Sequence, residues 1–187
     1  MNAIALSLVL SINMASGQQV KPMYNAGYAP QGPKIKFTVK SRGSFVIQTD
    51  KNASPKTVEH IVELVKKKFY DGIRMHRVGS WLIQYGDPLS KTAPLNDKKM
   101  GDGGSGKDVP FEKCNVDFTR GIVGVASEGL QRGGDCQLFV LKADTLRLFQ
   151  SYAVVGMVCE GMDVVDKIQV GDRITSAVIV AEKAKGK

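Results

Sequence analysis

The stretch FYDGIRMHRVGSWLIQYGDP, residues 69–88, decides the predicted fold. An Asp-Gly pair ends an apolar helix, and a strand-like run that carries Arg77 follows it. A Gly-Ser turn then leads into a second strand that contains Trp81, Leu82 and Gln84. Taken alone, an arginine on a strand is more often an exposed cross-strand partner than a functional group. The block nevertheless places a cation and an amide among large apolar side chains on two neighbouring strands.

The segments before this block predict a hairpin and a helix. IKFTVK and SFVIQT alternate in β-branched and aromatic residues on either side of a Ser-Arg-Gly turn, which is typical of a β-hairpin starting near Ile35. Ser54 is the expected N-cap of the helix, with Pro55 at its first position. Apolar residues recur at helical spacing as far as Phe69, and His60 is predicted on the face away from them.

The segments after the block are short strand-like runs separated by glycine-rich or charged turns. Their sequences are IVGVAS, CQLFVLK, YAVVGMVC and SAVIVAEK, and MDVVDKI is the one further helix predicted. Many short strands with few helices between them favour a mainly β protein, an antiparallel sheet or barrel whose ends two helices cover. With 187 residues, of which 43% are hydrophobic and 24% charged, the chain has room for one such domain with its own core.

The stretch GDGGSGKD, residues 101–108, mimics a phosphate-binding loop without its context. Gly101, Gly106 and Lys107 have the required spacing. Asp108, however, stands where a serine or threonine would hold magnesium, no buried strand precedes the stretch, and no helix follows it. A flexible surface loop is therefore expected here.

The histidines and cysteines form no catalytic or metal-binding pattern. His60 and His76 lack a nucleophile at a spacing typical of hydrolases, and no G-x-S-x-G elbow occurs. Cys114, Cys136 and Cys159 show no CxxC spacing and are odd in number, so they are predicted to be buried small apolar residues, with a single disulfide left open. No metal and no cofactor is expected.

The block at residues 69–88 resembles the signature of the cyclophilin family of peptidyl-prolyl cis/trans isomerases. In that family a helix ending F-Y-D-G is followed by F-H-R-V, a short turn, F-M-I-Q and G-D-P. VASEGLQRGGDCQLF (residues 125–139) is similar to a bacterial-type stretch of the family, and SYAVVGMVCEGMDVVDKI (residues 151–168) is similar to its closing motif. The resemblance covers residues 35–182 and implies a closed eight-stranded antiparallel barrel with a helix at each end.

Carried over by position, the resemblance implies roles for nine residues. Arg77 is expected to be the catalytic arginine, and Gln84 the amide that positions the substrate backbone. The proline pocket and its surroundings are expected to be formed by Trp81, Leu82, Ala126, Gln137, Phe139, Leu148 and Tyr152. Trp81 replaces a phenylalanine of the family, and the turn before it is one residue short. Arg147 stands where many members have tryptophan or phenylalanine.

The implied reaction needs no nucleophile, metal or titrating base. An X-Pro bond is held by resonance behind a barrier of about 18–20 kcal/mol, and its nitrogen regains a lone pair when the bond twists. A charged, planar guanidinium such as that of Arg77 suits this nitrogen as a donor. The expected activity is peptidyl-prolyl isomerisation that assists the folding of proline-containing proteins. The altered rim leaves open a proline-peptide-binding chaperone module with little turnover.

The charge balance and the two ends of the sequence complete the prediction. A net charge of +8 predicts weak general attraction to anions, but no basic motif supports specific nucleic-acid binding. Residues 1–17 hold a short apolar run followed by small residues, which is typical of a cleavable export signal and too short for a membrane anchor. We therefore expect an exported, periplasmic or secreted monomer, cytoplasmic if residues 1–17 are retained. Residues 18–34 are predicted to be a linker, 35–183 the isomerase domain and 184–187 a basic tail.

Overall fold

The computed structural model describes residues 27–181. The predicted export signal and basic tail lie outside these residues. The eight strands are β1 Lys34–Val39, β2 Gly43–Thr49, β3 Arg77–Val78, β4 Leu82–Tyr85, β5 Ile122–Val125, β6 Leu138–Leu141, β7 Val154–Glu160 and β8 Ile174–Val180. The helices are α1 Pro55–Lys66 and α2 Met162–Lys167, and 3₁₀ turns cover Pro88–Lys91 and Leu146–Leu148. Within the described residues, neither helix is long and apolar enough to cross a membrane.

The first two strands form the predicted hairpin. Their turn uses the left-handed conformation twice, at Ser41 (φ 61°) and at Gly43 (φ 114°), which glycine adopts without steric cost. Phe37 and Phe45 lie opposite each other in the register, and their rings stack with centroids 5.3 Å apart. The hairpin therefore supplies an aromatic centre for the core.

The eight strands form one antiparallel sheet in the order β3-β4-β6-β5-β7-β2-β1-β8. The sheet is a strongly curled half-barrel rather than the fully closed barrel that was predicted. Because β3 is only two residues long, it offers too little backbone for a ladder with β8. The chain just before β3 spans the gap instead: Met75 N donates to the carbonyl of Asp172 at 2.9 Å, and Ile174 N donates to that of Ile73 at 2.8 Å.

Helix α1 begins where the sequence predicts but is capped differently. Ser54 is the N-cap residue, yet its side chain makes no capping hydrogen bond. The carboxylate of Glu112 caps the helix from a distant loop, accepting from the backbone of Lys56 at 3.1 Å and of Thr57 at 2.8 Å. A carboxylate is favourable there because a helix N-terminus carries partial positive charge and unpaired N–H groups. The helix also ends earlier than predicted, with Lys67 as its C-cap.

His60 corrects a second expectation from the helical pattern. Its side chain is buried rather than solvent-facing, and Nε2 lies 2.8 Å from Oδ1 of Asp135. The apolar period of α1 predicts which face meets the sheet, but a polar loop can cover another face. Here residues 101–106 and Asp135 do so.

Successive side chains of a strand point to opposite faces of the sheet, and this alternation divides the buried apolar side chains into two clusters. On β6, Leu138 and Val140 belong to the larger cluster, whereas Phe139 and Leu141 belong to the smaller one. Both faces of this strand are buried, which explains its unbroken apolar sequence. The larger cluster includes α1 and α2 residues and the aromatic centre. The smaller one forms the floor of the site described below.

The three cysteines are all free thiols, and only one of them fits the prediction of burial. Cys136 is buried, Cys114 is partly buried and Cys159 is exposed. Cys159 is the second-last residue of β7. Its side chain points to the opposite face of the strand from that of the buried Val158, so it is exposed. None of the three forms the disulfide that the sequence left open.

Candidate active site

Three neighbouring strands place the predicted catalytic residues side by side. Arg77 on β3 lies opposite Gln84 on β4, and Gln84 lies opposite Phe139 on β6. The arginine, the amide and the aromatic ring therefore form one row across the sheet. The register of the sheet, rather than any loop, sets their spacing.

The structure brings eight of the nine predicted site residues into one cavity of about 130 Å³. We call this cavity the proline pocket. It is lined by Arg77, Trp81, Leu82, Gln84, Ala126, Ser127, Phe139, Leu148 and Tyr152. Ser127 is a lining residue that the sequence argument missed, although it directly follows Ala126. Gln137, the ninth predicted residue, lies next door in a larger cavity.

A row of side-chain amides orients the guanidinium of Arg77. Gln137 Nε2 donates to the carbonyls of Gly101 at 2.6 Å and Gly103 at 2.9 Å. Because those carbonyls can only accept, the oxygen of Gln137 turns toward Gln84, whose Nε2 donates to it at 3.1 Å. The oxygen of Gln84 then accepts from Arg77 Nη1 at 3.2 Å. Two backbone carbonyls thus fix the direction of every bond in the row.

The floor of the proline pocket is a ring held from three sides. Phe139 stacks on Phe118 with centroids 6.1 Å apart and meets Tyr152 edge-on at 5.4 Å. Across the sheet it faces Gly124, where an added Cβ would lie 2.5 Å from the tip of the ring. Phe139 is only 4% exposed. A glycine at this position is therefore what allows the ring to lie flat against the sheet.

The rim of the pocket carries two arginine side chains over one tryptophan ring. The guanidinium carbons of Arg77 and Arg147 lie 5.7 and 5.3 Å from the centre of the Trp81 ring. Both distances are within the range of a cation–π contact. The sequence singled out Trp81 and Arg147 as departures from the family, and the structure shows that the two are in contact.

The larger cavity, about 640 Å³, adjoins the proline pocket through Gln84, Ala126 and Ser127, which line both. One wall of this cavity is the glycine-rich loop at residues 101–104, part of the predicted surface loop. The loop is anchored: Gly101 N donates to Asp87 Oδ2 at 2.6 Å, and its carbonyls hold Gln137. The loop therefore supports the site.

Asp135 anchors the far side of this loop. Its carboxylate accepts from the backbone N–H and the hydroxyl of Ser105, and from Gly106 N at 3.2 Å. It also pairs with the buried His60. One carboxylate thus joins helix α1, the loop and the segment before β6 that carries Gln137.

Burial keeps two titratable groups near the site in their neutral forms. Desolvation lowers the pKa of His76, opposed by Asp87 and reinforced by Arg77. Desolvation raises the pKa of the Cys136 thiol to about 12. Neither a histidinium nor a thiolate is thus favoured beside the pocket at neutral pH. Among residues 27–181, no cluster of three acidic, histidine or cysteine side chains is arranged to hold a metal ion.

Comparison with known proteins agrees with the fold and the site. A family profile described as "Cyclophilin type peptidyl-prolyl cis-trans isomerase/CLD" matches residues 34–184. A probable peptidyl-prolyl cis-trans isomerase of Brucella abortus is 32% identical over 141 residues, covering 73% of this chain and 72% of its own. A peptidyl-prolyl cis-trans isomerase of Helicobacter pylori is 31% identical over 150 residues, covering 75% and 84%. The chain belongs to the cyclophilin-type peptidyl-prolyl cis/trans isomerases.

Solved structures agree at the level of the fold. The crystal structure of a cyclophilin-type isomerase from Cryptosporidium parvum superposes with a TM-score of 0.69 at 18% identity, covering 81% of this chain and 99% of that one. A second structure of that protein, in the presence of the dipeptide Ala-Pro, gives a TM-score of 0.67. The predicted mainly β fold and enzyme class are confirmed.

Proposed function

We propose that this chain isomerises X-Pro bonds in the proline pocket, with Arg77 as the hydrogen-bond donor to the proline nitrogen. The observation that carries the proposal is a guanidinium, oriented by Gln84, at the mouth of a small cavity whose floor is apolar. The cavity has room for one ring-sized side chain. That a protein of the same fold was solved in the presence of Ala-Pro supports a proline-containing ligand.

The chemistry requires a donor that favours the twisted bond over the planar one. As the bond twists, the nitrogen loses conjugation and regains its lone pair, so a hydrogen bond to it stabilises the transition state selectively. Arg77 is exposed in the structure, so the bound peptide has to cover it. A preorganised donor in a site closed in this way contributes about 3–4 kcal/mol by analogy with oxyanion holes. The total required is roughly 4–7 kcal/mol, because an unaided bond turns over in tens to hundreds of seconds.

The remaining stabilisation is assigned to holding the substrate on both sides of the bond. Phe139, Leu82 and Leu148 are almost fully buried and present an apolar floor to the ring. Gln84 and Ala126 lie where the two cavities meet, so they are placed to hold the backbone before or after the proline. Holding one side of the bond while the other rotates brings the ground state closer to the twisted geometry.

Replacing Arg77 tests the proposal. We expect Arg77→Ala to lower kcat/KM on a short X-Pro peptide by about 100- to 1,000-fold, because the donor is lost. The kcat/KM of Arg77→Lys should lie between those of the wild type and Arg77→Ala, since an ammonium cannot reproduce the planar fork of a guanidinium. A protease-coupled assay measures the rate. Lys36→Ala, which removes an exposed cation from β1 that lines neither cavity, is the control.

Two outcomes would contradict the proposal. Equal acceleration by wild type and Arg77→Ala would exclude Arg77 as the donor. Binding of the peptide without any acceleration by the wild type would instead favour the proline-peptide-binding module considered from the sequence. Export of the protein remains a prediction from residues 1–17, separate from this test.

A further inference from the structure

The mouth of the proline pocket carries more positive charge than the binding of a proline ring requires. Arg77 and Arg147 both lie over the ring of Trp81. Lys142 joins them, because its Nζ donates to the carbonyl of Gly79 at 3.3 Å in the turn that precedes the tryptophan. We call Arg77, Trp81, Lys142 and Arg147 the cationic rim.

No carboxylate neutralises the cationic rim directly. Within residues 27–181, none of its three cations makes an ion pair within 4 Å. Asp166 interacts with Lys142 at longer range, but its oxygens are taken by Arg120, at 2.9 and 2.7 Å. The rim thus presents net positive charge to whatever enters the pocket.

The fold directs Arg147 toward the rim and leaves its hydrogen-bonding edge available. It lies in the 3₁₀ turn Leu146–Leu148, where successive side chains point about 120° apart. Leu148 turns inward to line the pocket, so its neighbour turns to the surface, where it meets Trp81. A guanidinium that lies over a ring keeps N–H donors in its plane, and these match the two oxygens of a carboxylate.

The other end of the site has the opposite charge. Asp102, Asp108 and Glu128 line the larger cavity, with Arg132 as the one cation in its described lining. None of these three carboxylates takes part in an ion pair found among the described residues. A peptide that crosses both cavities therefore passes from an acidic wall to a basic one.

We propose that the cationic rim selects substrates that carry an aspartate or glutamate on one side of the proline, and that Arg147 determines this specificity. The inference rests on the proposed isomerase function and names its substrate class. An acidic side chain on the rim side is attracted by three cations, whereas one on the cavity side is repelled by three carboxylates. The preference is thus positional, and a general attraction of a basic protein for acidic peptides would not show it.

A peptide series tests this positional preference. Three Ala-Pro peptides would be compared, one neutral, one with glutamate two residues before the proline and one with glutamate two residues after it. We expect kcat/KM to rise by about three- to tenfold for one glutamate position and to fall below the neutral value for the other. The rise should shrink at 1 M salt, where the Debye length is about 3 Å.

Variants of Arg147 identify the residue responsible. Arg147→Gln should move the ratio of acidic to neutral kcat/KM for the favoured peptide most of the way toward 1, because Arg77 and Lys142 remain. Arg147→Lys should retain more of the preference, and Arg147→Glu should lower the ratio further than Arg147→Gln does. Lys36→Gln removes one positive charge at an exposed position of β1, where Lys36 lines neither cavity, and should leave the ratio unchanged. Trp81 is the single tryptophan of the chain, so its fluorescence gives peptide affinity independently of turnover.

The two proposals fail in different ways. Equal rates for both acidic peptides and the neutral one, or a ratio unaffected by Arg147→Gln, would overturn the specificity while leaving isomerisation intact. Absence of acceleration on every peptide would overturn the isomerase function. In that case the fluorescence titration would still decide whether the rim binds carboxylates.

Discussion

The proline pocket and the larger cavity share Gln84, Ala126 and Ser127, yet they are built in different ways. The pocket consists mainly of side chains on hydrogen-bonded strands or in the 3₁₀ turn behind them. The cavity is walled by the backbone of a glycine-rich loop that Asp87, Asp135 and Gln137 hold in place. The sheet register therefore sets the spacing of the proposed catalytic residues, whereas a few polar anchors set the shape of the neighbouring wall.

Gly124→Ala should have the largest effect on kcat/KM of the three changes that separate these regions. Its Cβ would lie 2.5 Å from the tip of Phe139, which has no free space behind it, so the ring must move into the pocket. A displacement of about 1 Å at a reacting site can cost about 100-fold, and we expect a loss of about 10- to 100-fold in a coupled assay. Overpacking should also lower the free energy of unfolding by about 1–3 kcal/mol.

Gly129→Ala is the control for that change. Gly129 lies on the loop that follows β5, where the nearest atoms to an added Cβ belong to the flexible side chain of Arg132, at 3.5 Å. Its rate should match that of the wild type. Similar losses in both variants would show that the ring position is not what limits the pocket.

Gln137→Leu should have an intermediate effect, because it cuts the one side-chain connection described between the loop and the catalytic row. Gln84 would lose the acceptor for its Nε2, and the orientation of Arg77 would be less defined. One hydrogen bond contributes about 1 kcal/mol, so we expect a loss of about fivefold in kcat with little change in KM. Gln31 is an exposed amide outside the site, so Gln31→Leu should leave kcat unchanged and serves as the control. A wild-type rate in Gln137→Leu would mean that the row of amides does not orient Arg77.

Asp135→Ala should have the smallest effect on kcat/KM and a large effect on stability. Removing the carboxylate leaves the buried His60 and two loop N–H groups without an acceptor. Such losses cost about 2–4 kcal/mol, measured by chemical denaturation, whereas kcat/KM should change only about twofold since the strands stay paired. Amide hydrogen exchange at Ser105 should accelerate.

Asp163→Ala is the control for Asp135→Ala, because Asp163 is an exposed carboxylate on α2 that pairs only with Lys167. It should change stability little. A loss of activity in Asp135→Ala as large as that in Gly124→Ala would contradict the independence of the two regions.

Much of the fold and the pocket could be predicted because their signals are local or short in period. Alternation marks the strands, and Pro55 marks the start of α1. The block at residues 69–88 holds Arg77 and Gln84 seven positions apart on two short strands joined by one turn, so their pairing follows directly from the chain. Phe139 joins them through the register, and the resemblance to the family supplied that distant partner.

Other features could not be predicted because they depend on partners far away in sequence. Glu112 caps a helix that begins at Pro55, and nothing in the sequence near Glu112 indicates this contact. His60 was expected on the solvent side, since the helical period cannot show that Asp135 and the loop would cover it. The glycine-rich loop was expected at the surface, and its anchors lie 14 to 36 residues from the groups that they hold.

The sequence by itself determined where the strands and helices lie and, through its ordered motifs, the enzyme family, because side-chain periodicity and the order of motifs are properties of the chain. The resemblance to that family then named eight of the nine residues that line the proline pocket. Only the tertiary structure decided how far the sheet curls, where the amide row is anchored and which charges meet at Trp81. Those features arise because the curled sheet brings distant segments into contact, and the order of these segments along the chain does not show that they will meet. The cationic rim is the clearest case: β3 and the 3₁₀ turn bring Arg77 and Arg147 over one indole ring, and Lys142, which directly follows β6, bonds the turn before that ring.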